Sequence, residues 1–184
     1  MVNATVVIGA VVTVVLLFIV LTYNSLVSLR NQVRNSFSQI DVQLKRRNDL
    51  IPNLVETVKG YMRHERGVLE NITKARSAVL SATTMQEKAK ASNMLTETLK
   101  SLFAVSENYP KLRANENFLQ LQEEISGTES KIAYARQHYN DVVMALNNKI
   151  ESFPSDMLAG IFGFRQEELF KAAESERKNV KVEF

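Results

Sequence analysis

The chain has 184 residues, with 23 lysines and arginines against 20 acids, a net charge of +3, six glycines and three prolines. That length suits a membrane segment plus one domain, and the composition is that of a folding chain rather than a low-complexity or disordered one. So slight a positive balance, without a long basic run or aromatics interleaved with arginines, argues against nucleic acid as a partner. The absence of cysteine excludes disulfides, thiolate zinc sites and cysteine nucleophiles.

From Ala4 to Leu21 the chain reads ATVVIGAVVTVVLLFIVL, uncharged and interrupted only by Thr5, Gly9 and Thr13. At 1.5 Å per residue this covers about 27 Å, close to the hydrocarbon thickness of a bilayer. The first charged side chain is Arg30, so the uncharged stretch extends further and Tyr23 can sit at the interface. A cleaved secretory signal would need a basic N-terminal region, and MVNAT supplies none. Arg30, Arg34, Lys45, Arg46 and Arg47 outweigh Asp41 just beyond the span, which predicts an outside N-terminus and the bulk of the protein in the cytoplasm.

Beyond Thr22, Leu26, Leu29, Val33, Phe37, Ile40 and Leu44 recur at spacings of three and four, so the membrane helix is expected to run on into the domain. Pro52 is expected to end or kink it, with Asp49 available as the N-cap of a new helix. The stripe of that second helix uses Leu54, Val58, Tyr61, Val68, Ile72, Ala75 and Val79, with Glu65 polar at an apolar phase. The cluster at residues 81–84 breaks the pattern, and Thr84 with Glu87 fits a capping box opening a third helix through Leu95, Leu99, Leu102 and Phe103. Because this break holds neither proline nor glycine, the alternative is one bent helix from Pro52 to Glu107.

The fourth segment, from Asn117 to Phe153, carries Phe118, Ile125, Ile132, Tyr139, Leu146 and Phe153 at an unbroken spacing of seven, the pattern of a coiled-coil seam. Its alternate positions are Gln122, Glu129, Arg136, Val143 and Ile150, so the first half is polar where a helix should pack. Polar seam positions cost stability but can fix register or partner choice. Pro154 stops this helix, Phe162, Phe164 and Phe170 mark a separate short element, and the last residues read as a polar tail.

Residues able to carry chemistry are few. His64 and His138 each lack a second ligand four residues away, and Val68 breaks the H-E-x-x-H zinc pattern, so both read as solvated helix-face residues. Glu65, Glu129 and Arg136 fall in apolar phases and predict a buried charge network, either an ion pair along one helix face or a bridge through Glu65 from another helix. Paired carboxylates could also serve acid–base work or hold a metal, but the Glu-x-x-His repeats of di-metal bundles are missing. No phosphate-binding glycine loop and no Gly-x-Ser-x-Gly occurs. No catalytic, cofactor or metal residue is therefore assigned. Lys45, Arg46 and Arg47 read as a solvated face or a partner contact, since a straight helix would carry them about 35 Å from the membrane.

The stretch YNSLVSLRNQVRNSFSQIDVQLKRRNDLIPNLVETVKGYMRHERGVLENITKAR, from Tyr23 to Arg76, closely resembles the hallmark region of the LemA family. The stretch NENFLQLQEEISGTESKIAYARQHYNDVVMALNNKIESFP, from Asn115 to Pro154, resembles that family's closing helix, and the phenylalanine-rich segment after it also fits. The resemblance implies a bacterial, single-pass, membrane-anchored bundle of long antiparallel helices with no known catalytic activity. It marks Asp41, Lys45, Arg46, Arg47, Asp49, Pro52, Glu129, Ala135, Arg136, Tyr139 and Asn140 as family-defining, and their density on two helices suggests a structural or assembly surface, to which Glu65 is added from its apolar phase.

The expected fold is therefore all-α: an N-terminal transmembrane helix continuing into a long antiparallel bundle of about four soluble helices, with a short C-terminal element. Residues 1–3 form a flank, 4–22 the transmembrane helix, 23–153 the bundle, and 154–184 the aromatic element and tail. The expected role is a scaffold in the bacterial cytoplasmic membrane, with membrane lipid, copies of itself and other membrane proteins as partners. The alternative is an adaptor presenting its bundle to a protease or transport complex.

Overall fold

A computed structural model describes residues 3–171, and every regular element in it is helical. In chain order these are α1 (Ala4–Lys59), α2 (Arg66–Ser81), α3 (Met85–Ser106), α4 (Pro110–Arg113), α5 (Glu116–Glu151) and α6 (Ser155–Ile161). The described residues group into two compact units, one within Met1–Ser38 and Gln137–Leu169, the other within Gln39–Arg136 and Phe170–Phe184.

In the first unit, α1 begins as an apolar helix whose large side chains are exposed as far as Leu21. It is long and apolar enough to cross a membrane. Thr13 turns its hydroxyl onto the Gly9 carbonyl, 2.9 Å away, so its polar atom is satisfied by its own helix. From Thr22 onward one face is buried, through Leu26, Val33 and Ser36. On α5 the buried positions of this unit are Tyr139, Val142, Val143 and Leu146. The seam expected to reach Phe153 stops short of it: Phe153 is 81% exposed, just beyond the end of α5. The short α6 was not anticipated; it ends in a Schellman turn, with Gly163 at φ 68°, its N–H bonded to Gly160 O (3.3 Å) and that of Phe164 to Ala159 O (2.9 Å). That left-handed position is where glycine is needed.

The second unit holds the main hydrophobic core. Ile51, Leu54 and Val58 of α1 meet Ile72 and Ala75 of α2, Leu95 and Leu102 of α3, and Phe118 and Ile125 of α5. Each of these side chains larger than alanine contributes about 1.5–3 kcal/mol through burial. Leu112 of α4 and Met62 of the α1–α2 turn are both fully buried and pin their short segments to this core. The rings of Phe103 and Phe118 pack edge to face at 6.3 Å. Helices α2 and α3 pack against each other across residues 82–84. Thr84 and Glu87 form the expected capping box.

Two boundaries differ from expectation. Helix α1 does not end at Pro52 but runs through it to Lys59. Proline removes the donor that would satisfy the Asn48 carbonyl four residues back; here Arg76 of α2 donates its Nε to that carbonyl at 3.2 Å. Asp49, expected as a cap, is mid-helix and pairs with Lys45. The expected continuous helix from Pro52 is instead broken at residues 60–65, which leaves Leu54 and Val58 on α1 and Val68 onward on α2. The single bent helix from Pro52 to Glu107 is thus excluded by breaks on both sides of α2.

Candidate functional site

Two of the family-defining charges, Arg47 and Glu129, meet in a network inside the second unit. The phase of α1 buries Ile40, Leu44, Arg47, Ile51 and Leu54, so Arg47 occupies a core position. Its side chain is 0% exposed and pairs through Nη1 with Glu129 of α5, which keeps 32% exposure. Nη1 also donates to Thr96 Oγ1 at 2.9 Å, and Nη2 donates to the backbone oxygen and hydroxyl of Ser92 at 3.2 and 3.0 Å. Thr96 in turn donates to Glu129 Oε1 at 2.7 Å. Burial lowers the Arg47 pKa from its ordinary value, and the neighbouring Glu129 charge opposes that shift. One guanidinium therefore ties α1, α3 and α5 together.

The other charges follow suit. Lys88 of α3 grips both Asp41 carboxylate oxygens at 2.7 and 2.6 Å. Arg136 donates to Asn93 of α3, and its guanidinium lies 4.2 Å from the Phe170 ring centroid. Glu65 precedes α2 and accepts from Tyr109 Oη at 3.2 Å, and burial followed by the Glu65 charge raises the Tyr109 pKa. Asn115 Nδ2 donates to Tyr61 Oη at 3.2 Å in the same region. The three residues expected to share one network each have a partner elsewhere: Glu129 is answered by Arg47 from α1, Glu65 by Tyr109, and Arg136 by Asn93 and the Phe170 ring.

Lys45 and Asp49 form an exposed pair at 2.7 Å, with 76% and 58% exposure, and Arg46 is exposed. Such a pair contributes a few tenths of a kcal/mol. Of the basic cluster, only Arg47 points inward. Both His64 and His138 are exposed. Among the described residues, no three His, Asp or Glu side chains gather as metal ligands.

In the first unit the remaining motif residues hold a strap. Tyr139 packs against Phe37 at 6.3 Å and donates its hydroxyl to the Glu168 carbonyl at 2.9 Å. Burial, then the Glu167 and Glu168 charges, push its pKa up to about 12, so it stays a neutral donor. Asn147 brackets the Glu167 backbone, donating to its carbonyl and accepting from its N–H, both at 2.9 Å. Asn140, half-buried, lies on the same helix. Nothing in the periodicity pointed to Asn147; a buried tyrosine on the seam was the only available signal that a further segment covers α5.

A protein LemA from Metamycoplasma hominis is 29% identical over 85% of this chain and 72% of its own length. Magnetosome protein MamQ 2 of Paramagnetospirillum magneticum is 22% identical over 83% of this chain, and magnetosome protein MamQ of Magnetospirillum gryphiswaldense 21% over 83%. The chain spans 66% and 65% of those two relatives. Neither name denotes an enzymatic activity. The model of the LemA family matches residues 36–184, the segment that carries the Arg47–Glu129 network and the Tyr139 strap, and the chain belongs to that family.

Proposed function

We propose that the protein is a non-catalytic, membrane-anchored scaffold that self-associates and organises the bacterial cytoplasmic membrane or proteins on it. The observation that carries this reading is the continuity of α1: one helix from Ala4 to Lys59 leads from the exposed apolar span into the bundle core, with no linker between anchor and bundle. The motif charges support the non-catalytic half, because Asp41, Arg47, Glu129 and Arg136 are engaged in holding helices to one another. The polar seam positions Glu129 and Arg136 are occupied within the chain, so association between copies uses other faces. Val42, Leu80 and Tyr134, exposed at 63%, 63% and 75%, are available there. Likeness to proteins named for the magnetosome supports a role in membrane organisation.

Extraction in mild detergent followed by mass photometry is expected to give oligomers at micromolar concentration; monomers at every concentration would overturn self-association. The excess of basic residues after the span supports a cytoplasmic bundle. Protease added to intact spheroplasts should then spare it, and digestion there would reverse the orientation.

An adaptor role is favoured by a groove of about 610 Å³ where α1 meets α2, lined by Lys59, Arg63 and Arg66 beside Glu56 and Glu70, with Met62 and Leu69 at its apolar floor. Crosslinking in cells from position 45 separates the two roles: copies of the chain support the scaffold, one different protein the adaptor.

A further inference from the structure

Helix α6 has an apolar face that the protein leaves bare. Ser155 and Ala159, four residues apart, are 5% and 1% exposed and mark the side turned inward. Phe153, Met157 and Ile161, also at four-residue intervals, are 81%, 62% and 74% exposed. Helical spacing puts Met157 and Ile161 on one line, opposite the buried pair, while Phe153 lies in the turn just before the helix. Three large exposed apolar side chains so close in the chain are not the isolated surface residues that need no explanation.

Their location identifies the occupant. Phe162, next to Ile161, packs edge to face on Tyr23 with centroids 4.8 Å apart, and Phe164 packs on the same ring at 6.0 Å. Tyr23 lies two positions beyond Leu21, where the exposed apolar stretch of α1 ends. The Schellman turn at Gly163 brings Phe164 back so that its ring lies 5.0 Å from the Arg30 guanidinium. At 1.5 Å per residue, α6 from Ser155 to Ile161 stays within about 11 Å of the Phe162 contact. The helix therefore lies beside the end of the exposed apolar stretch of α1, among aromatic and basic groups of the kind that favour a membrane interface.

We propose that the Met157–Ile161 face of α6, with Phe153 just before it, is seated in the headgroup–acyl boundary of the membrane that α1 crosses, as a second, non-spanning lipid contact. This goes beyond the scaffold reading and requires only that Ala4–Leu21 spans the bilayer. A lipid surface fits better than a protein partner because Phe162 and Phe164, which follow the face directly, pack on Tyr23 at the end of the anchor's exposed apolar stretch. A second copy of the chain is the competing occupant.

The chain has no cysteine, so single substitutions Met157→Cys, Ile161→Cys, Asp156→Cys and Leu16→Cys can each carry an environment-sensitive dye on the full-length protein. The protein is reconstituted into vesicles of phosphatidylcholine and phosphatidylglycerol. Lipid spin-labelled near the headgroup is expected to quench the dyes at 157 and 161 several-fold more than the dye at 156, which is off the face. That difference should persist when the protein is diluted with lipid. Deeply spin-labelled lipid should quench the dye at 16, which reports the span independently. Equal quenching at 156, 157 and 161 with a responsive position 16 would overturn the interfacial contact while leaving the anchor intact. Shielding at 157 and 161 that disappears on dilution would assign the face to a second copy and overturn the proposal as well. An unresponsive position 16 would overturn the span and this inference with it.

Discussion

The two units of the chain hold themselves together by different means. In the unit within Gln39–Arg136, charged side chains add specific links between helices around the hydrophobic core: Lys88 to Asp41, Arg47 to Glu129. In the unit within Met1–Ser38 and Gln137–Leu169, side chains of α1 and α5 grip rings and backbone, with Tyr23 on Phe162, Tyr139 on the Glu168 carbonyl and Asn147 around Glu167. A backbone carbonyl is supplied by any residue, so the second kind of link tolerates sequence change in the strap. A buried guanidinium accepts only a carboxylate or a ring of oxygens at the right place, so the first kind rejects wrong helix registers. The family-defining residues include both, and they guard different things: helix register in one unit, attachment of a segment in the other.

The largest test of this contrast is Glu129→Leu, which strands the fully buried Arg47 without a counter-charge. It should cost about 3 kcal/mol in denaturant unfolding of the detergent-solubilised protein. Arg47→Met should cost less, about 1–2 kcal/mol, because the Glu129 left behind can hydrate through its 32% exposure. Equal losses would show that the pair is not asymmetric in burial. Arg76→Met comes next: it uncovers the Asn48 carbonyl opposite Pro52 and should cost about 1–2 kcal/mol, with faster amide exchange around residues 48–56. Tyr139→Phe removes one neutral hydrogen bond from the other unit and should cost about 1 kcal/mol, while protease cutting within residues 164–169 increases.

The smallest expected effect is in acid. The Thr84 and Thr83 N–H groups bond the Glu87 carboxylate and hold its pKa at about 2. The folded pKa is below the unfolded one, so the unfolded chain binds the extra proton. This part of stability is complete above the ordinary carboxylate value of about 4.3 and is lost as pH falls from there through about 2. Melts of Glu87→Ala should therefore show a shallower decline across that window than the parent protein. Thr84→Ala, which removes the reciprocal bond, should cost about 1 kcal/mol at neutral pH.

What could be read in advance depended on whether the cause was local. The helical stripe after Thr22 and the capping box at Thr84 are short-range patterns, and both recur in the structure; the seven-residue stripe of α5 is buried from Phe118 to Leu146 but not at Phe153. Pro52 misled because the group that compensates it, Arg76, is distant in sequence. Arg47 was grouped with Lys45 and Arg46 as a basic cluster, although the spacing Ile40, Leu44, Arg47, Ile51, Leu54 places it in the buried stripe. That phase was the available signal, and it outranks charge where a partner exists. The break after Lys59 has no proline, and α6 spans only seven residues, too short for a periodicity to declare itself. The polar tail lies outside the described residues apart from Lys171.

The bond from Arg76 to the Asn48 carbonyl joins residues 28 apart in the chain. Wherever α2 is displaced, the acceptor that Pro52 leaves open returns to solvent, so the last turns of α1 lean on a helix that follows them in sequence. The far end of the first helix and the second helix are thus expected to open together.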